Sequence, residues 1–327
     1  MKIGIVGTNF ISDWFCEAAR LVEGVTVTAI YSRKLDTAHA FGEKWGIKNC
    51  FCDYAEMLGS DIDAVYIASP TFMHEAHSVM AMEHGKSVLC EKMLACSYSG
   101  ALRMVKCANQ NDVLLLEAMR PAFDPVADII SSEISKLGAI RHAHLEYCQY
   151  SSRYDRFKSG EVLNAFDPQI CNSALADIGI YPLNMALSLF GEPMESTAES
   201  TLLHNGFEGE GKILLKYPDM LCEVVYSKIK DGTDYSFIEG EEGTLYFDRV
   251  NAPTVIYKQI RGAETQPVYF ERVENNMVYE IEAFRDMYLG KRESQPYLST
   301  TLSAIRIVDK AYIETGAINY MNEGLMS

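Results

Sequence analysis

Residues 2–12 read Lys-Ile-Gly-Ile-Val-Gly-Thr-Asn-Phe-Ile-Ser, and this stretch decides how the first part of the chain folds. Its short run of Ile and Val predicts a buried strand, and Gly7 begins a turn into an amphipathic segment. Asn9 and Ser12 replace the second and third glycines of a Gly-x-Gly-x-x-Gly pattern. We expect Asn9 to adopt the positive φ that asparagine tolerates and Ser12 to allow close packing of helix on strand.

A turn of this kind between a parallel strand and a helix binds the pyrophosphate of a dinucleotide on backbone N–H groups. A plain tight turn is the alternative, because an incomplete glycine pattern is weak by itself. The residues assigned to this cofactor turn are Gly7, Thr8, Asn9, Phe10 and Ile11.

Short apolar runs and helical segments continue to alternate after the first turn. This pattern predicts a doubly wound parallel sheet of the Rossmann type with helices on both faces. The expected strands are 2–7, 25–31, 63–68, 87–91 and 113–118, and the expected helices are 10–22, 35–45, 72–84 and 98–110.

The alternation of short apolar runs with helical segments ends near Met119. Beyond it, long stretches alternate polar and apolar residues. Alternation predicts an open, mostly antiparallel sheet with one covered face, interrupted by a helix over about 172–190. We therefore expect two domains: a dinucleotide-binding α/β domain over 1–119 and an α+β domain over 120–327 for substrate binding and dimerisation. On one strand, Leu221, Val224 and Tyr226 are expected to face outward and form the contact of a homodimer.

The composition limits the possible partners. A formal net charge of -16 over 327 residues disfavours nucleic acid and anionic membranes, and no apolar stretch is long enough to span a bilayer. The predicted strand at residue 2 leaves no room for a signal segment, so we expect a cytoplasmic protein. No group of Cys and His has the spacing of a zinc site, and no metal is expected.

The second predicted strand ends in Ser32-Arg33-Lys34, where an NAD-binding protein would carry an acid for the ribose hydroxyls. A small residue followed by two cations suits the 2′-phosphate of NADP instead. We therefore expect NADP in preference to NAD, the alternative being a solvated start of a helix.

Three further motifs resemble the glucose-fructose oxidoreductase/inositol dehydrogenase (Gfo/Idh/MocA) family. They are Ser69-Pro70-Thr71 with His74, Glu91-Lys92, and Asp177 followed by Tyr181. The resemblance covers the whole chain and implies that the first two motifs contact the cofactor. Tyr181 stands in the place of the family's histidine, a variant similar to dimeric dihydrodiol dehydrogenases, and Met93 replaces the proline that usually follows Glu-Lys.

The chemistry of these residue types agrees with the resemblance. At the end of a parallel strand, the Lys92 ammonium can polarise a carbonyl and lower the pKa of a nearby phenol, which makes Tyr181 a plausible proton donor. Asp177 lies one expected helical turn before Tyr181 and can grip a substrate hydroxyl. Arg120 is a candidate for substrate binding. Each of these residues also has a purely structural alternative: a surface lysine for Lys92, a buried cap or salt-bridge partner for Asp177, a packed core residue for Tyr181 and a hinge salt bridge for Arg120.

We therefore expect an NAD(P)-dependent oxidoreductase that acts on a hydroxyl or carbonyl of a small-molecule substrate, a sugar, polyol or dihydrodiol. Two other classes stay open: a glycosidase or epimerase that oxidises its substrate transiently, and a non-catalytic dinucleotide or sugar sensor. The polar, aromatic segment 150–168 is expected to be a mobile loop near the substrate.

Overall fold

The apolar runs of the first part form six parallel strands. The computed structural model describes residues 1–161, 163–233 and 235–317. The strands are β1 (Lys2–Val6), β2 (Thr26–Tyr31), β3 (Asn49–Phe51), β4 (Ala64–Ile67), β5 (Ser87–Glu91) and β6 (Leu115–Ala118). They pair in the order β3-β2-β1-β4-β5-β6. The strand order therefore reverses between β1 and β4, as in a doubly wound fold. The predicted fold class is confirmed here, and β3 was missed because three residues show no usable pattern.

Five helices connect these strands. They are α1 (Phe10–Ala19), α2 (Leu35–Trp45), α3 (Tyr54–Leu58), α4 (His74–Glu83) and α5 (Tyr98–Asn111). Asn9, Asp53 and Ser97 each accept backbone N–H groups at the start of a helix, which satisfies donors that have no partner inside the helix. These caps fix where the turns after the strands end.

The second part builds one mixed sheet. It starts with α6 (Val126–Ile134), β7 (Ile140–Cys148), α7 (Tyr154–Lys158) and α8 (Ile180–Phe190). The remaining strands are β8 (Glu195–Leu202), β9 (Glu208–Lys216), β10 (Leu221–Ser227), β11 (Ser236–Gly240), β12 (Gly243–Phe247), β13 (Ile256–Ile260) and β14 (Gln266–Pro267). Their order is β14-β13-β12-β11-β7-β10-β9-β8, and β7 and β10 run parallel while the other neighbours are antiparallel. The expected open, mostly antiparallel sheet is confirmed.

The assignment of faces on β10 was partly wrong. Val224 and Tyr226 are 0% exposed and lie on the covered face, whereas Leu221 is 44% exposed. Side chains alternate along a strand, so residue 221 cannot share a face with 224 and 226. The open face of this strand carries Leu221, Glu223 and Val225.

The last helices are α9 (Met277–Tyr288) and α10 (Gln295–Thr315). The chain divides into a first unit, Met1–Phe123 with Val273–Ser299, and a second unit, Asp124–Arg272 with the chain from Thr300 onward. Apolar residues of α9 therefore share the core of the first unit with β1 and α1. The expected division after residue 119 did not include this return of the chain.

Within the described residues, no helix is long and apolar enough to cross a membrane. The same part of the chain holds no group of three or more His, Cys, Asp or Glu placed for a metal ion.

Candidate functional site

The turn after β1 is closely packed around Gly7. A Cβ atom at Gly7 would lie 2.7 Å from the carbonyl oxygen of Ala68, and φ is +105°, so only glycine fits without strain. The expectation for Asn9 was wrong: its φ is -85°, and its side chain accepts the N–H groups of Ile11 and Ser12 while Nδ2 donates to Ala68. Asn9 is a helix cap because its side chain, unlike glycine, can bond to the backbone.

This turn suits a phosphate group. The backbone N–H groups of Thr8 and Phe10 make no hydrogen bond within the described residues, and phosphate oxygens bind such N–H groups at the start of a helix. Ser12 is fully buried and donates to the Gly7 carbonyl at 2.9 Å, so it packs the helix on the strand as expected.

The end of β2 presents two exposed cations. The side chains of Arg33 and Lys34 form no hydrogen bond or ion pair in the part of the chain that the structure describes. Ser32 is half-buried, and its backbone N–H donates to Phe51. No acidic side chain occupies this strand end, which leaves it suited to an anionic group.

His74 links two turns. Its Nδ1 lies 2.9 Å from the carbonyl oxygen of Met93, and its Nε2 lies 2.8 Å from that of Ser69. Burial lowers the pKa of His74 to about 4, so the ring is neutral at pH 7 and donates to one of the two carbonyls. Pro70 and Thr71 lie in the short turn between them.

Glu91 and Lys92 end β5. The Glu91 carboxyl accepts the Tyr66 hydroxyl at 2.5 Å and the backbone N–H of Lys92 at 3.3 Å. The Lys92–Met93 peptide bond is cis, and Met93 is buried. Lys92 therefore starts a turn whose backbone is held by Glu91 on one side and His74 on the other.

Asp177 of the second unit lies in a π-helical turn, Leu175–Gly179, and not in a continuous α-helix. A Cβ atom at Gly179 would lie 2.7 Å from the Tyr226 ring, so this turn packs directly against β10. The expected α-helical spacing between Asp177 and Tyr181 was thus wrong, because a π-turn adds a residue per turn. Asp177 Oδ2 lies 2.8 Å from Nζ of Lys228. Asp177 is therefore a salt-bridge partner, the alternative role that its sequence position allowed.

Tyr181 lies in the first turn of α8 and is 7% exposed. Its ring packs at 5.8 Å from that of Tyr147, and the Tyr147 hydroxyl accepts from Asn251 at 3.3 Å. Tyr147 lies on β7, an interior strand of the second sheet, and Asn251 follows β12.

Arg120 begins a short turn after β6 and donates to Oδ1 of Asn276 at 3.1 Å. Both residues belong to the first unit. Segment 150–168, of which residue 162 lies outside the described residues, contains α7 and the buried Phe157 and Phe166. These two rings pack with Phe207 in a small aromatic cluster. The segment therefore has a helix and a packed core of its own, which the loop expected from the sequence did not include.

Two family models match the chain: an oxidoreductase family with an NAD-binding Rossmann fold over residues 1–119, and a GFO/IDH/MocA C-terminal domain over residues 131–246. The scyllo-inositol 2-dehydrogenase (NADP(+)) IolU of Bacillus subtilis is 36% identical over 97% of this chain and 98% of its own length. This chain belongs to the Gfo/Idh/MocA oxidoreductase family. The resemblance inferred from its motifs is thereby confirmed.

More distant proteins agree with this membership of the Gfo/Idh/MocA family. The trans-1,2-dihydrobenzene-1,2-diol dehydrogenase of Xenopus tropicalis is 27% identical over 96% of this chain and 98% of its own. The structure of KijD10, a 3-ketoreductase from Actinomadura kijaniata in complex with NADP and TDP-benzene, superposes with a TM-score of 0.84, 23% identity and coverage of 96% and 98%. That structural likeness shows the fold. The chain is an oxidoreductase whose first unit binds a nicotinamide dinucleotide.

Sequence reasoning missed two buried groups in this Gfo/Idh/MocA protein. Lys228 is 5% exposed at its side chain, pairs with Asp177 and donates to the Ala165 carbonyl at 2.7 Å. Glu280 is fully buried in the first unit. The signal for Lys228 in the sequence is its position at the end of an apolar strand. Glu280 has no such signal, because α9 reaches the first unit from far along the chain.

Proposed function

We propose that this protein is an NADP-dependent dehydrogenase that transfers hydride between nicotinamide and a ring hydroxyl of an inositol-like polyol or sugar. The observation that carries the proposal is the end of β2, where Arg33 and Lys34 are exposed without ion pairs among the described residues. Two such cations next to a small residue bind a 2′-phosphate by charge. Full-length similarity to an NADP-dependent inositol dehydrogenase supports the substrate class.

The turn after β1 would hold the pyrophosphate, and Ser69, Pro70, Thr71 and Lys92 would hold the nicotinamide end. The bound dinucleotide supplies the hydride acceptor. Oxidation of a hydroxyl also requires a base for its proton. In this proposal Tyr181 takes that proton, and the Lys92 ammonium stabilises the charge that develops on the substrate oxygen.

Asp177 and Arg120 would bind substrate hydroxyls. A carboxylate that accepts from a hydroxyl while it is paired with Lys228 stays oriented, because the ammonium fixes one of its oxygens. A guanidinium donates to hydroxyl oxygens in the same manner, which is the role proposed for Arg120.

A change in nicotinamide absorbance tests the proposal. Purified protein with NADP+ and scyllo-inositol, myo-inositol, aldoses or a vicinal diol should accumulate NADPH in proportion to enzyme added. A glycosidase or epimerase that oxidises its substrate transiently would convert the sugar with no net absorbance change, which would contradict the proposal.

We also propose a homodimer through the open face of the second sheet. Leu214 and Leu221 are exposed there, and Lys212 and Glu223 provide charges of both signs that suit a second copy of the same surface. Light scattering should give twice the mass of the chain, and Leu221→Glu should give a monomer. A monomer mass for the unmodified protein would contradict this. The cytoplasmic location stays a prediction.

A further inference from the structure

Glu280 lies on the buried face of α9 and is enclosed in the first unit. The residue is 0% exposed, and neither carboxyl oxygen has a hydrogen-bond partner among the residues that the structure describes. A buried carboxylate in this situation is very unfavourable, so the group is either paired with a nearby cation or uncharged. The mechanism proposed above assigns it no part.

Three titratable side chains interact with Glu280: Glu91 at the end of β5, Tyr66 on β4 and Arg120 after β6. The hydroxyl of Tyr66 and the backbone N–H of Lys92 both donate to the Glu91 carboxyl. The Arg120 guanidinium donates to Asn276, which precedes α9. Glu91 therefore receives hydrogen bonds from two groups, whereas Glu280 receives none from the described part of the chain.

The two carboxyl groups differ in the positive charges near them: Arg120 acts on both Glu91 and Glu280, whereas Lys92 acts on Glu91. Burial raises the pKa of both carboxyls. At Glu91 the hydrogen bond from Tyr66 and the positive charges of Lys92 and Arg120 oppose this rise, whereas at Glu280 the charge of Glu91 adds to it and only Arg120 opposes it. The proton shared by the pair thus belongs on Glu280.

We propose that Glu280 is a positioning residue that acts as the uncharged acid: it adds no second negative charge near Glu91 and does not compete for Arg120, so the Glu91 carboxylate keeps its hydrogen bond from the Lys92 backbone. The proposal rests on the proposed role of Lys92. An ionised Glu280 would repel Glu91 and attract Arg120, and the strand end that carries Lys92 would lose its support.

Stability as a function of pH tests the charge state without any substrate. An acid whose folded pKa is raised contributes stability below its unfolded pKa, near 4.3, and that contribution is lost as the pH rises through the folded pKa. Glu280→Gln is permanently uncharged, so its Tm should exceed that of the wild type by about 2–4 °C at alkaline pH, with the gain vanishing near pH 4. Glu282→Gln, the same change on the half-buried side of α9, should show no gain. A Glu280→Gln protein less stable than the wild type at alkaline pH would show that Glu280 is ionised and paired with Arg120.

Two further readouts test the positioning role. Glu280→Ala should lower kcat about tenfold, and Glu280→Gln should restore it and extend the alkaline limb of the kcat profile. Hydrogen exchange at the Lys92 amide should be faster in Glu280→Ala than in Glu280→Gln, and this comparison needs no turnover. Equal exchange and equal kcat in Glu280→Ala and Glu282→Gln would refute the positioning role. If the wild type oxidises no polyol, the proposed function fails, and the exchange comparison alone decides whether Glu280 supports Lys92.

Discussion

The carboxyl ends of β2 and β5 differ in solvent exposure and in hydrogen bonding, although both strands belong to one parallel sheet. The cations at the end of β2, Arg33 and Lys34, lie in solvent and have no side-chain partner among the described residues. The end of β5 is embedded: Glu91 accepts from Tyr66 and from the Lys92 backbone. A cation that recognises a phosphate by charge needs only exposure, whereas a cation that takes part in a reaction needs a fixed backbone.

The largest effect is expected from Lys92→Met. We expect kcat to fall by about 10²–10⁴ with dinucleotide affinity largely kept, because the charge that stabilises the reacting substrate oxygen is lost. Tyr181→Phe should cost about the same, and the double variant should be little worse, since residues that act together are not additive. The measurement is steady-state kinetics combined with fluorescence titration of NADPH.

Lys34→Met is the matched control, since it makes the same chemical change at the end of β2. It should raise KM for NADP+ and leave kcat at saturation close to that of the wild type. If both lysine variants changed kcat equally, the difference between the two strand ends would not exist.

His74 gives the next largest effect, on stability near the end of β5. Its folded pKa of about 4 lies below the unfolded value near 6.5, so the neutral ring contributes stability above pH 6.5 that is lost as the pH falls toward 4. Full loss amounts to about 3 kcal/mol. Urea unfolding at several pH values should show this loss for the wild type and not for His74→Gln. Parallel pH dependences for the two proteins would rule out a buried neutral His74.

Arg33→Ala tests the end of β2. It should weaken NADP(H) binding about tenfold and change NAD(H) binding little, because one charge-assisted hydrogen bond to the 2′-phosphate is lost. The difference should shrink at high salt, as expected for exposed charges. Titration of both dinucleotides at two salt concentrations measures this, and an equal loss for NADP(H) and NAD(H) would disprove phosphate recognition here.

The smallest effect concerns the end of β1. Asn9→Ala should lower the free energy of unfolding by about 1 kcal/mol, because the cap of α1 is lost. Asn9→Ser retains a capping oxygen and should lose less. Chemical denaturation compares the three proteins, and an unchanged stability of Asn9→Ala would show that the cap contributes nothing.

The sequence predicted the strand ends better than it predicted what surrounds them. Local patterns place Gly7, Arg33 and Lys92 at the ends of parallel strands, because a glycine turn or a short apolar run is visible within a few residues. The face of Val224 and Tyr226 was also knowable, since alternation alone puts them opposite Leu221.

Other features depend on distant parts of the chain. Glu280 meets Glu91 only because α9 returns to the first unit, and the pairing of Lys228 with Asp177 requires the fold of the second. The π-turn at Leu175–Gly179 packs closely on the Tyr226 ring, a contact that no local pattern encodes. Such long-range contacts lie beyond periodicity and motif spacing.

The initial rates of NADP+ and NAD+ reduction with scyllo-inositol, measured on the wild type at equal cofactor concentration, test the central claim most directly. The account predicts net accumulation of reduced nicotinamide, with kcat/KM at least about tenfold higher for NADP+. Equal values for the two dinucleotides would contradict the role of the β2 end, and no net reduction with any inositol, sugar or diol would contradict the proposed dehydrogenase.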